Sequence, residues 1–157
     1  MNRLKIVAIG FFSVLIVYIL ARLAIFAGVA PVQILPVEMV LKKFGLNYSF
    51  LPEVFVFSGG IIGALIMAWV FENNTTAGKG VLLAFVFWFI AMFVFAPVAD
   101  LGLFTLKSEA GFLLALFILA AYLIYGTLAG WLIGKLVYFE SGVGDEIRFH
   151  SEQEEKG

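Results

Sequence analysis

Four stretches of the chain, at 6–30, 54–71, 81–99 and 111–137, run almost without a polar residue, and short polar segments separate them. Each reaches or approaches the ~20 residues a helix needs to cross bilayer hydrocarbon, where every backbone amide must be bonded inside the helix. The apolar positions are continuous rather than striped, unlike those of an amphipathic helix on a soluble core. The pattern predicts an all-α, polytopic integral membrane protein, a four-transmembrane-helix bundle. Between spans one and two, Pro31 and Pro36 stop the helix, and 37–44 then mixes apolar residues with Glu38, Lys42 and Lys43. That spacing predicts a short interfacial helix, with Pro36 in its first turn and Gly45 at its end. The polar linker 72–80 is short enough to make spans two and three antiparallel neighbours.

The ends of the chain read differently. The run 6–30 follows a basic start, but it far exceeds the roughly 7 to 15 apolar residues of a signal peptide and is read as a retained span. Residues 140–157 carry Glu140, Asp145, Glu146, Glu152, Glu154 and Glu155 against Arg148 and Lys156. They predict an acidic, hydrophilic cytoplasmic tail, solvated and partly disordered.

Composition agrees with the pattern. The chain is 63% hydrophobic and 13% charged, where a soluble domain has roughly 25% charged residues to coat its surface. Basic residues form no cluster, so no nucleic-acid partner is expected. Near the span ends they do set an orientation, because basic loops resist translocation. With the N-terminus inside, Arg3, Lys5, Lys79, Lys135, Arg148 and Lys156 are cytoplasmic and Lys42, Lys43 and Lys107 are not. The majority puts both termini on the cytoplasmic side of the cell (inner) membrane.

Small residues recur at helical spacing. Gly126, Gly130 and Gly134 lie four apart in span four, with Tyr122 one step before them on the same face. Span two has Gly59 and Gly63 on one row and Gly60, Ala64 and Ala68 on the next. Such rows let two helices approach until backbone meets backbone. They predict packing within the chain, with a dimer interface as the alternative, and nominate spans two and four as the closely packed centre. An offset of 66 residues carries Gly60, Ala64 and Ala68 onto Gly126, Gly130 and Gly134, and Ala30-Pro31-Val32 onto Ala96-Pro97-Val98. Two equally oriented hairpins would give this pattern, as would chance among apolar segments.

Candidate chemistry is sparse. Arg22 is the one charge well inside a span, about 7 Å beyond its centre toward the outer face. A charge there must point into the bundle or reach the headgroups, and Glu53 and Asp100 lie at the same outer level to pair with it. This trio is the candidate polar site, read first as a structural ion pair and second as a site for an anion, headgroup or ion. A lone His150 in the tail assembles neither a catalytic triad nor a histidine metal site. Without cysteine the chain has no disulfide or thiolate-held metal. No catalytic residue, metal site or cofactor is predicted. Ala77-Gly78-Lys79-Gly80 has the composition but not the spacing of a phosphate loop. The sequons at Asn47 and at Asn73-Asn74 carry no assigned role. The aromatics Phe85, Phe87, Trp88, Phe89, Phe93 and Phe95 of span three read as lipid-facing or packed rings.

The stretch 80–104, with Trp88 in mid-helix, Pro97 near its end and Gly102-Leu103-Phe104 after it, followed by Leu123-Ile124-Tyr125-Gly126 and Gly130, resembles the YagU-like family of small four-helix bacterial and archaeal membrane proteins of undefined biochemical activity. The resemblance implies a four-helix inner-membrane protein and no reaction. Members often have a histidine three residues before that tyrosine, where this chain has Tyr122, so a role tied to the histidine does not carry over. The sequence therefore points to a non-catalytic structural, regulatory or accessory membrane component. Its expected partners are membrane lipid and either a second copy or another membrane protein. The alternatives are a small oligomeric transporter or channel, which would need more midplane polar groups than Ser58, Tyr122 and Thr127, and a lipid enzyme at the outer surface.

Overall fold

The computed structural model describes residues 3–46, 48–71 and 74–138. The acidic tail at 140–157 with His150, the start of the 72–80 linker, and Asn47 and Asn73 of the two sequons lie outside the described residues. Among the described residues the secondary structure is helical throughout. It comprises α1 (Arg3–Phe26), α2 (Pro36–Lys43), α3 (Leu51–Phe71), α4 (Ala77–Val98) and α5 (Phe112–Ile133), the last continued by a π-turn at Gly134–Tyr138. Helices α1, α3, α4 and α5 are long and apolar enough to cross a membrane, and only 22% to 28% of each such stretch is buried. The remainder turns large apolar side chains outward, including Phe12, Ile16, Leu23, Phe89, Phe93 and Leu113. An apolar surface of that extent suits lipid and not water.

Local chemistry sets the helix ends. Span one stops at Phe26, short of the expected residue 30, because Gly28 takes φ +69° and the Val29 and Ala30 amides turn back to the Ala24 carbonyl. Helix α2 begins with Pro36 at its first position and ends where Gly45, at φ +72°, bonds to the Lys42 carbonyl. Helix α4 starts four residues before the expected 81, since Thr76 caps it by accepting the Lys79 amide at 3.4 Å. Near its other end Pro97 has no amide to donate and crowds the preceding turn. The chain answers with a π-turn over Ala91–Phe95, in which the Ala96 amide reaches back five residues to the Ala91 carbonyl.

The helices pack as two tight pairs. Helix α4 lies along α5 and α1 along α3, α1 also touches α5, and α3 meets α4 and α5 only lightly. Two expectations are corrected here. Spans two and three are not close neighbours despite their short linker, and spans two and four, nominated as the closely packed centre, touch each other only lightly. Gly60 and Ala64 face α1, the partner within their own pair, Gly126 and Gly130 face the start of α4, and Gly63 faces Tyr125 of α5. A Cβ added at Gly126 would lie 2.5 Å from the Ala84 methyl, and one at Gly130 would lie 2.6 Å from the Thr76 carbonyl and 2.9 Å from Gly80 Cα. In the other pair, a Cβ at Gly60 would strike Val14, and one at Gly10 would lie 2.9 Å from the Ala64 methyl. The contacts Val14–Gly60 and Gly10–Ala64, shifted by 66 residues, become Gly80–Gly126 and Thr76–Gly130, so the crossing register of one pair recurs in the other.

The bundle is solid toward one end and hollow toward the other. Ile6, Ile9, Ala64, Met67, Ala68, Ala129 and Ile133 form a buried core where the start of α1 meets the ends of α3 and α5. We expect Gly130→Leu to lower the melting temperature in detergent by an amount corresponding to roughly 1–3 kcal/mol of overpacking. Gly59→Leu, with nothing within 4 Å of its added Cβ, should leave melting unchanged. Equal effects of the two would remove the close-packing role from Gly130.

Candidate functional site

Arg22 projects from the last turns of α1 into a cluster drawn from three helices. Its Nη2 lies 2.8 Å from Glu38 Oε1 of α2 and 3.3 Å from Glu53 Oε1 of α3. Its Nε donates to the Tyr18 hydroxyl at 3.0 Å, and that hydroxyl donates to Glu53 Oε1 at 2.8 Å. The guanidinium also stands 5.2 Å from the centroid of the Tyr18 ring, a stacking that an arginine makes well. Helical spacing brings Tyr18 and Arg22, four apart, onto one face, and the α1–α3 crossing brings Glu53 to meet them. Glu53 Oε2 is buried and accepts no hydrogen bond from another residue among those described.

Of the three predicted site residues, the structure brings Arg22 and Glu53 together and puts Asp100 elsewhere. Asp100 follows α4, at φ +60°, and pairs with Lys43 of α2, whose ammonium also donates to the Val98 carbonyl at 3.0 Å. Residues at one membrane level need not share a side of the bundle. The hydrogen bond and charge of Lys43 hold the Asp100 carboxyl below the usual aspartate range. Glu38 was missed as a partner of Arg22. Its position three residues into a Pro-started helix looks like a first-turn acid serving the helix dipole, and only the fold of α2 across the bundle turns it inward. Helix α2 is thus fastened at two points, by Glu38 to α1 and by Lys43 to the end of α4.

Beneath α2 lies a cavity of about 610 Å³. Val14, Val17 and Ala21 of α1 line it, with Val56 and Gly60 of α3, Met92 and Ala96 of α4, and Ile118 and Ala121 of α5. Leu35, Val37, Val40 and Leu41 roof it. Its hydroxyl-bearing lining residues are Tyr18, Thr105, Tyr122 and Tyr125, and among the described residues no charged one lines it. The floor is a deliberate junction between the helix pairs. Tyr125 donates to the Gly60 carbonyl at 2.5 Å, and its hydroxyl would lie 2.9 Å from a Cβ at Gly63, so glycine at 63 makes room for it. On the α4 side, Trp88 Nε1 donates to the Ala115 carbonyl at 3.0 Å, with Met92 and Tyr122 packed around it. The π-turn contributes Ala91, Met92 and Phe95 to the lining, in keeping with the frequency of such turns at functional sites. The loop beyond it is strained, with Phe104 at φ +50° and Thr105 at φ +59°. The fully buried Thr105 hydroxyl lies 2.6 Å and 2.8 Å from the Phe104 and Gly111 carbonyls, to one of which it donates at a time.

The remaining predicted packing residues divide by function. Gly126, Gly130 and Gly134 face α4 and the segment before it, Gly60 and Ala64 face α1, Gly63 admits Tyr125, and Gly59 and Tyr122 line the cavity. Comparison with protein-family models, curated proteins and solved structures gives no match.

Arg22→Leu leaves Glu38 and Glu53 facing each other without their cation. Because the guanidinium is 40% exposed, the cost is set at about 1 kcal/mol, in the range of exposed pairs. A double-mutant cycle with Glu38→Gln should return a coupling of that order, and strict additivity would mean the pair holds nothing. The Asp100–Lys43 pair adds an acid dependence. With its folded value depressed, Asp100 stabilises fully above the ordinary aspartate value of about 3.9 and loses that contribution as pH falls through the lower folded value. Asp100→Asn should therefore flatten the acid limb of a melting-temperature profile.

Proposed function

We propose that the protein is a non-catalytic, multi-pass integral membrane protein with a structural, regulatory or accessory role, set in the cell's inner membrane with both termini cytoplasmic. The observation that carries this reading is the state of its one deeply placed charge. Arg22 is bonded to Tyr18, Glu38 and Glu53, an arrangement suited to fastening α2 over the bundle. Aromatic residues and lysines mark the level of one bilayer interface. Trp69 and Trp131 are exposed near the ends of α3 and α5, Lys135 stacks 5.0 Å from Trp131, and Lys79 stacks 5.6 Å from Phe71. Rings and lysines of this kind anchor helices at a bilayer interface. Close packing of the glycine rows, within one chain, belongs to the same reading. The YagU-like resemblance agrees with it in fold and adds no reaction. For a channel or transporter, the uncharged and mostly apolar cavity supplies little to replace the hydration of an ion.

The absence of cysteine makes single-cysteine labelling clean. In intact cells, Lys42→Cys should react with a membrane-impermeant maleimide, while Lys79→Cys and Lys135→Cys should react only after the membrane is opened. The reverse pattern would invert the topology. Release of the protein by alkaline carbonate would end the integral reading.

A further inference from the structure

We propose that the cavity beneath α2 is a binding site for a neutral amphiphile, an apolar chain ending in a hydroxyl group, drawn from the bilayer. The inference rests on the membrane-embedded reading above. Four observations converge on it.

The first is shape. Lining residues run from Val14 to Ala21 on α1 and from Phe117 to Tyr125 on α5, which at 1.5 Å per residue gives a depth of about 10–12 Å. The Tyr125–Gly60 hydrogen bond closes the bottom, so the space is a blind slot rather than a pore. Two turns of an α-helix, some 10–12 Å across with side chains, would overfill 610 Å³, whereas a slender chain enters it.

The second is access. Phe55 and Gly59 of α3, and Ile90 and Phe95 of α4, line the cavity and are themselves exposed, and α3 and α4 touch only lightly. The slot therefore opens sideways between these helices, at the depth where lipid tails lie.

The third is the lining, which is mostly apolar and matches hydrocarbon. The fourth is the polar group at the slot's edge. Tyr18 lines the cavity and donates a hydrogen bond to Glu53 Oε1, and Oε2 of the same carboxylate is buried and accepts no hydrogen bond from another residue among those described. One guanidinium there faces two carboxylates, so a phosphate head would meet surplus negative charge. A hydroxyl head can donate to that carboxylate and brings no charge. Polyisoprenoid alcohols, diacylglycerols and hydroquinones share this chemistry.

The test uses the full chain in phosphatidylcholine vesicles, with a farnesol analogue carrying a tail diazirine and the matching farnesyl phosphate analogue. On illumination the farnesol probe should label the 55–63 and 87–96 segments, and in preference to the phosphate probe. Gly59→Trp fills the portal from a position with open space and should reduce that labelling about tenfold, equivalent to 1.4 kcal/mol. Ile90→Trp, on an exposed residue of the opposite lip, should do the same. Glu53→Gln, which can both donate and accept, should narrow the preference for farnesol over its phosphate. Competition by unlabelled polyprenol, diacylglycerol or hydroquinone then separates the sources. Labelling spread over Phe12, Ile16 and Leu113 and unchanged by both tryptophans would mean surface lipid only and overturn the site. Preference for the phosphate probe would overturn the head-group assignment. Cysteine labelling reports membrane embedding separately, so a failure there is distinguishable from a failure of the slot.

Discussion

The approach of two backbones at Gly126 and Gly80, mirrored where Gly60 meets Val14, is the constraint on which the rest of the architecture depends. In the bilayer setting proposed for this chain, helices gain little from hiding one apolar face, so they associate where contact is closest. Here that occurs inside each pair, α1 with α3 and α4 with α5. Once the small residues are used within pairs, little remains to bring α3 against α4, and the bundle closes only at the end where Ile6, Met67 and Ile133 interlock. The opposite half stands open and needs a cover. Helix α2 supplies it, held by one ion pair on each side. Cavity, roof and portal thus follow from where glycine and alanine stand.

The fold was largely readable in the residues, since four apolar runs and two prolines leave few other arrangements. The pairing was not. Gly60 and Gly126 announce close contact without saying with what, because a smooth face is complementary to any other smooth face. Only knowledge of Gly10, Val14, Gly80 and Ala84 as the opposing surfaces resolves it. The short linker suggested α3 beside α4, yet adjacency in sequence was overridden by the better fit elsewhere.

The site was half legible for a related reason. Arg22 stands out because a charge in hydrocarbon has to be answered, and Glu53 is recognisable by its level. Level along the membrane normal is one coordinate of two, however. The angular coordinate put Asp100 on Lys43 and gave its place to Glu38, which the sequence presents as an ordinary first-turn acid of an amphipathic helix. Tyr125, the hydroxyl that ties the pairs together, carried no local signal, since a tyrosine in an apolar run can equally face lipid. Its meaning comes from Gly63, which clears the space it occupies.

The π-turn at Ala91–Phe95 has one more consequence. An α-helix advances about 100° per residue, so the extra residue held in that turn rotates everything beyond it by about that angle relative to the start of α4. Ala96, Leu101 and Thr105 line the cavity from the rotated side, and Asp100 meets Lys43 from there. In regular α geometry the end of the helix would stand about 100° further round its axis, so the turn sets the side from which Ala96 meets the cavity and from which the chain leaves toward Asp100.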